Sequence, residues 1–445
     1  MSRNTPASGL DLSVSRRRFL QTSIASGLVS PFLANSLSAA PAKKRPKVAV
    51  VYTAFAHRWH THVLLENFLE SYIFNGQLTD PGVEVVSLYA DQHPQGDMTT
   101  EIAKNYGLPV YDSISDALCL GGKELAVDAV LSIGEHGSYP KNDLGQVEYP
   151  RKRFFDEIAA VMKRSQRFVP VFNDKHLSYR WDWAKEMYDT SVQHGIPFMA
   201  GSSVPLAQRA PMIDNPIGVE IEEAISIHGG GVESYDFHGL EVLQSMVEGR
   251  RGGETGISRV QFLSGDALMA TANKRWSVDL AAAAMQAEAD FMGQPVIDPK
   301  TASHGILLEY KDGLRATVLK VGNSGIRWNF ACRVKGEAKP VATYFNPGPW
   351  DNRCLFKALS HAIQNHFIHG KAPYPVERTL MTTGVLDSAM HSRHAGEKSL
   401  DTPQLEFAYQ TRDYKAMRET GASWKIIKPE TPQPMGIASD EQYLQ

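Results

Sequence analysis

The sequence predicts an α/β half followed by an α+β half: a Rossmann-like parallel sheet, then a domain with an open, mostly antiparallel sheet packed by helices. Three observations carry this. Short apolar runs such as Val48 to Tyr52, Val83 to Tyr89, Val127 to Ile133 and Phe168 to Phe172 alternate with segments of helical spacing, as buried parallel strands alternate with their crossover helices. Past Ile217 the pattern changes, and strand-like runs are joined by turns such as Lys311-Asp312-Gly313, which suits hairpins better than crossovers. At 445 residues and 42% hydrophobic, the chain is also long enough to bury the cores of two domains.

Taken in order, Val48 to Tyr52 is a buried strand and His62 to Phe74 the helix after it, with Val63, Leu64, Phe68, Leu69 and Ile73 on one face. Further helices are expected over Met98 to Tyr106, Ser115 to Leu120, Arg151 to Ser165 and Tyr179 to His194, with a strand at Ile196 to Met199. Pro205, Pro211 and Pro216 punctuate a junction. The Rossmann-like domain is therefore placed at 47–215 and the α+β domain at 216–396. The second domain has strands expected at Val219 to His228, Gly256 to Leu263, Gly305 to Tyr310, Leu314 to Val321 and Trp328 to Val334. It has helices at Tyr235 to Val247 and Cys354 to His369, and then the segment Glu377 to Ser392. Residues 397–445 are polar and proline-rich, a tail expected to wrap the surface.

The first forty residues have another purpose. Ser15-Arg16-Arg17-Arg18-Phe19-Leu20 leads a modest apolar segment that ends in Leu37-Ser38-Ala39-Ala40, the order of parts in a twin-arginine export signal cleaved near Ala40. Ser, Gly and Pro31 interrupt the run, which argues against a membrane anchor, so the mature chain is expected in the periplasm or outside the cell with no membrane span. Cleavage removes four arginines and one aspartate and moves the formal charge from −3 to −6, which does not suit nucleic acid or an anionic membrane. Cys119, Cys332 and Cys354 have no metal-ligand spacing, and their odd number implies no disulfide framework.

Candidate chemistry gathers where strands end, because ligands of open α/β sheets bind beyond the carboxyl ends of the strands. The first such turn reads Thr53-Ala54-Phe55-Ala56-His57-Arg58-Trp59-His60, without a glycine. A dinucleotide pyrophosphate needs amides with no side chains in the way, so the fold signal is present and the nucleotide fingerprint is absent. Gly134-Glu135-His136-Gly137 follows the strand ending at Ile133 and should face the same crevice. Imidazole and carboxylate are divalent-metal ligands, and His57, Glu135 and His136 are the residues such an ion would take. The bland alternative is a filled cleft in which these side chains cap, stack and hydrogen-bond. Lys175, just past Phe172, is placed to polarise a sugar hydroxyl or carbonyl. Trp181, Trp183 and Tyr188 fit a helix packed on the core, whereas Trp350 in Asn346-Pro347-Gly348-Pro349-Trp350 is either a sugar platform or a loop closing over the core.

The order of a nucleotide-type half and an open-sheet half, together with Tyr374-Pro375-Val376-Glu377-Arg378-Thr379-Leu380 and Gly384-Val385-Leu386-Asp387-Ser388-Ala389, resembles the Gfo/Idh/MocA family, named after glucose-fructose oxidoreductase and inositol dehydrogenase. The resemblance runs from about Lys47 to Ser392. Asp174-Lys175-His176 is similar to the family's Glu-Lys-Pro phrase, whose lysine lies beside substrate and nicotinamide. Phe237-His238-Gly239-Leu240-Glu241 resembles the stretch that carries the family's catalytic histidine, although Ser234 stands where the family has an acid. The resemblance implies a sugar or sugar-derived substrate, Lys175 and His238 as catalytic groups, NAD(P) as cofactor and a homo-oligomer built on the open sheet.

The missing glycines set the cofactor apart from the rest. The reading favoured is an exported enzyme acting on a sugar derivative by acid-base chemistry between the domains, without conventional NAD(P) binding. The alternatives are a carbohydrate oxidoreductase with a tightly retained NAD(P), and a non-catalytic carbohydrate-binding protein.

Overall fold

The structure, a computed structural model, describes residues 44–444; the export signal expected over residues 1–40 lies outside them. The first half alternates strand and helix. In order it contains β1 (Lys47–Tyr52), α1 (His60–Leu69), the hairpin β2 (Tyr72–Phe74) and β3 (Gln77–Thr79), β4 (Glu84–Ala90), α2 (Thr99–Tyr106), β5 (Val110–Tyr111) and α3 (Ile114–Cys119). It continues through β6 (Ala129–Ile133), α4 (Arg151–Arg164), β7 (Val171–Asp174), α5 (Trp181–His194) and β8 (Phe198–Gly201). Six strands pair in parallel in the order β5-β4-β1-β6-β7-β8. This is the strand order of a dinucleotide-binding sheet, and the order of strand addition reverses between β1 and β6, where the crevice opens. Val48 to Tyr52 and Ala129 to Leu131 are wholly buried, which is why these strands read as unbroken apolar runs.

Two local expectations change. The first helix starts earlier, at His60, and stops at Leu69 instead of reaching Phe74. Tyr72-Ile73-Phe74 is a strand because Asn75 and Gly76 take φ of 49° and 75° and close a tight hairpin, the Asn-Gly turn that outcompetes helical spacing. β7 runs two residues past Phe172, so Asp174 ends the strand and Lys175 occupies the turn.

The second half contributes β9 (Gln208–Ala210), β10 (Ile221–His228), α6 (Ser234–Val247), β11 (Ile257–Ser264), α7 (Gly265–Met269) and α8 (Val278–Met292). Then come β12 (His304–Tyr310), β13 (Arg315–Lys320), β14 (Trp328–Val334), β15 (Val341–Asn346), α9 (Asn352–His369), α10 (Val376–His394) and β16 (Leu400–Asp401). The sheet order is β16-β11-β12-β13-β10-β14-β15-β9, and every pairing is antiparallel except β10 with β13. Phe237, Leu240 and Leu243 of α6 pack on one face against Ile306, Val318 and Phe330. On the other face Leu280, Ala281 and Ala284 of α8 meet Ile225, Ile227 and Leu319. The sequence reading assigned no element to α8, whose alanines let the helix sit close to the sheet.

Arg378 of α10 and Glu248, just past α6, form a buried bidentate pair at 2.5 and 3.0 Å that locks these helices together. The last segment is stapled down: Asp440 accepts from the Ile73 amide at 2.8 Å, and Glu419 Oε2 accepts from the Asn75 amide at 3.1 Å. Trp350 is 1% exposed and donates to the Thr431 carbonyl, so it closes over the core and is no sugar platform. Among the described residues, no helix is long and apolar enough to cross a membrane.

Candidate active site

A cleft of about 620 Å³ opens at the β1/β6 switch point and is lined from both sheets. The parallel half supplies Arg58 and His60 after β1, Glu135 and His136 after β6, Lys175 after β7 and Ser203 after β8. The other half supplies Tyr235 and His238 of α6, Trp328 of β14, and Asp351, Asn352 and Phe356 at the start of α9. The backbone is strained here. Of ten non-glycine residues with positive φ among the described residues, Arg58 (67°), His136 (69°), Lys175 (64°) and Asp351 (49°) line the cleft, and Glu233 (70°) caps the helix beside it. Each such conformation costs on the order of 1 kcal/mol, and strain of this kind collects where side chains must be aimed.

Four of the five residues singled out from sequence reach this cleft: Lys175, His238, Glu135 and His136. His57 does not. It is exposed, its ring 5.0 Å from that of His62, so His57, Glu135 and His136 are not brought together. Glu135 instead binds two cations, Lys175 Nζ at 2.9 Å and Arg151 Nη2 at 2.5 Å. Burial pushes the Glu135 carboxyl up, but Lys175 and Arg151 outweigh it and hold it well below the usual carboxylate range. Arg151 also reaches His176, whose Nε2 lies 3.3 Å from Glu233 Oε1. A charged chain therefore links the turns after β6 and β7 to the start of α6.

His60 lies in the turn that the sequence placed at the crevice, but the sequence did not single it out as a site residue. Its Nδ1 lies 2.6 Å from Asp174 Oδ2, in a pair where the acid is 1% exposed. A carboxylate only accepts, so Nδ1 carries a proton, and in the neutral ring the lone pair is the one on Nε2. The two residues are 114 apart in sequence, and only the fold shows that the end of β7 reaches the start of α1.

His238 is wired the opposite way. Ser202 Oγ accepts the Val204 amide at 3.1 Å and lies 2.5 Å from His238 Nδ1, and that nitrogen is the one acceptor its O–H has among the described residues, so the O–H donates there. The proton of neutral His238 is then on Nε2. Burial, followed by the charge of Lys175 and the nearby His60, lowers the His238 pKa well below the ordinary value and keeps the ring neutral. Glu241, one turn past His238 on α6, sits behind this arrangement, accepting from Thr382 Oγ1 at 2.8 Å and the Ser202 amide at 3.4 Å. Asp236, in the first turn of the same helix, contacts His228 and His304. His136 stacks on Trp59 at 5.0 Å, and burial, then His60, lower its pKa to about 3.

The other side of the crevice, over β1 and β4, is filled. The Arg58 amide donates to His62 Nδ1 at 2.8 Å, at the start of α1. The Arg58 guanidinium bonds Asn352 Oδ1 at 2.9 Å, the Trp350 carbonyl at 2.8 Å and the side chain of Gln433, while Asn352 Nδ2 returns a bond to the Arg58 carbonyl. Asp91, just past β4, accepts from Tyr89 at 2.9 Å and Tyr139 at 2.7 Å and pairs with Arg153.

No protein-family model and no curated protein matches this sequence. Solved structures match it in fold. GenD2 from gentamicin A biosynthesis, solved with NAD, is 12% identical over 84% of this chain and 99% of its own, at a TM-score of 0.50. A probable dehydrogenase from Thermotoga maritima is 11% identical over 81% of this chain and 99% of its own, at 0.49. The scyllo-inositol dehydrogenase from Lactobacillus casei, with bound NAD(H) and scyllo-inositol, is 11% identical over 80% and 99%, at 0.47. The fold is that of an oxidoreductase with a parallel nucleotide-type sheet and a mixed second sheet. At these identities the likeness shows the fold alone.

Proposed function

We propose that this chain is an exported, Gfo/Idh/MocA-like enzyme that removes a proton beside the carbonyl of an oxidised sugar, and that it works without a conventionally bound nicotinamide. The observation that carries this reading is the opposite wiring of two histidines in one cleft: His60 presents a lone pair backed by Asp174, and His238 presents an N–H backed by Ser202. A base and an electrophile facing one cavity suit enolisation. His60 Nε2 takes the proton from the carbon next to the carbonyl, and the C–H electrons move into the carbon chain as the carbonyl oxygen becomes an enolate. The Lys175 ammonium and the His238 N–H supply hydrogen bonds to that oxygen. Return of the proton to the same or the neighbouring carbon, or loss of a β-substituent, completes epimerisation, isomerisation or elimination.

Against a dinucleotide stands the filled side of the crevice. A pyrophosphate would need bare amides at the start of α1, where Arg58, Asn352 and Gln433 are bonded together, and a ribose would need a free acid after β4, where Asp91 is saturated. The residues present do not fit the cofactor in that pose, so no step is routed through it. The sugar substrate class rests on the sequence resemblance at Asp174-Lys175-His176 and Phe237-His238-Gly239-Leu240-Glu241, an analogy with the family and not a property of the cleft itself.

The test is to incubate the protein with a panel of keto-sugars in D2O, with no nucleotide added, and follow the protons next to each carbonyl by NMR. Protein-dependent exchange on one of them, lost in His60→Asn, supports the reading. Turnover that appears only when NAD(P) is supplied would replace it with the oxidoreductase. Saturable sugar binding with neither reaction would leave a carbohydrate-binding protein.

A further inference from the structure

Behind the aromatic wall of the cleft lies a second group of ligand-type side chains that the proposed chemistry does not use. His228 ends β10, Asp236 lies in the first turn of α6 and His304 begins β12. All three are buried, at 0%, 0% and 4% exposure. His228 Nε2 lies 2.9 Å and His304 Nε2 2.8 Å from the same oxygen, Asp236 Oδ1, and the three ligand atoms are all within 4.8 Å of one another. It is the one such group among the described residues.

We propose that His228, Asp236 and His304 bind one divalent first-row transition-metal ion. Two imidazoles and a carboxylate are the donor set such ions take, and neither a thiolate-selecting nor an all-oxygen site looks like this. The spacing is right: cis ligands at right angles on an ion with bonds of ~2.1 Å are separated by ~3.0 Å, close to the observed 2.8 and 2.9 Å. The charge argues the same way. Asp236 is a buried carboxylate with no arginine or lysine nitrogen in salt-bridge distance among the described residues, and a buried anion calls for a cation.

The ligands are also held in place. Asp236 Oδ2 accepts from the Glu233 amide at 2.8 Å in a capping box, which leaves Oδ1 for the ion. The His304 ring stacks on Phe262 at 5.0 Å, and the His228 ring lies over Trp328 at 6.4 Å. The ion would pin the start of α6 to two strands of the mixed sheet, steadying the Tyr235–Trp328 stack of the cleft wall. This inference stands apart from the proposed reaction, and its readout is binding.

The experiment uses the untagged full-length chain, purified without chelators for metal analysis, then stripped and titrated with zinc chloride by calorimetry. One equivalent of metal retained, or one equivalent of zinc rebound, is expected. His304→Gln keeps an N–H for Asp236 but is a poor metal ligand, and should weaken zinc binding at least about tenfold. Sub-stoichiometric metal with no heat on titration would overturn the proposal, as would zinc binding in His304→Gln equal to wild type, which would mark an adventitious ion. Should that variant not fold, the wild-type protein loaded with cobalt(II) chloride decides: visible bands of histidine-ligated cobalt support the site, and the spectrum of free aqueous cobalt refutes it.

Discussion

The crevice above the parallel sheet is two places with one topology. Over β1 and β4 the groups that would hold a dinucleotide are bonded to one another: Arg58 to Asn352 and Gln433, Asp91 to Tyr89, Tyr139 and Arg153. Over β6 and β7 the charged groups are paired, yet they keep an edge toward open space: His60 with Asp174, Lys175 with Glu135. On the function proposed above, the difference teaches that a fold can keep its reaction centre while its cofactor half is converted to structure. One side then contributes to stability and the other to chemistry, and substitutions should separate the two.

The largest effect is expected from His60→Asn, which removes the base: the deuterium-exchange rate on the responsive sugar should fall ~10²- to 10⁴-fold with the thermal midpoint little changed. Asp174→Asn should cost on the order of 10²-fold or more, because an amide no longer fixes the His60 tautomer, and the pH profile of the rate should move with it. His238→Ala removes one donor to the enolate oxygen and should lower kcat by about 10²-fold with a smaller change in KM. On the filled side the expectation reverses. Asp91→Asn gives up an ion pair and weakens two tyrosine bonds, so denaturant unfolding should show a loss of about 1–2 kcal/mol while turnover is unchanged. A loss of turnover in Asp91→Asn would break the comparison.

The most gradual effect is with pH. His62, beneath the Arg58 turn, has its pKa lowered to about 3 by burial, then by Arg353. A folded pKa below the unfolded one means the unfolded chain binds the proton first, so stability is intact above pH ~6.5 and falls as pH drops toward 3. The slope is at most about 1.4 kcal/mol per pH unit for one such group. Urea midpoints between pH 7 and pH 4 should fall accordingly, and His62→Gln, which is always neutral, should flatten the decline.

Much of the fold was legible because the buried strands are continuous apolar runs and the crossover helices carry their own spacing. The hairpin after α1 was missed because Ile73 fits a helix face as well as a strand, and the Asn75-Gly76 turn that decides between them went unread. Lys175, Glu135, His136 and His238 were found because strand ends and a family phrase mark them. His57 was misplaced because a run of histidines in sequence does not share a direction in space. His60 with Asp174, and His228 with Asp236 and His304, depend on contacts between segments far apart in the chain. Composition carries no trace of them. An acid ending one strand and a histidine opening a helix at the switch point were the only signals available for the first pair.

The central claim is that the cofactor half has become structure, and native mass spectrometry of the purified protein tests it most directly, before and after incubation with NAD⁺. The account predicts the mass of the polypeptide, with or without a metal ion, and no dinucleotide in either sample. A stoichiometric dinucleotide that survives purification would contradict it and return His60, Lys175 and His238 to hydride-transfer chemistry.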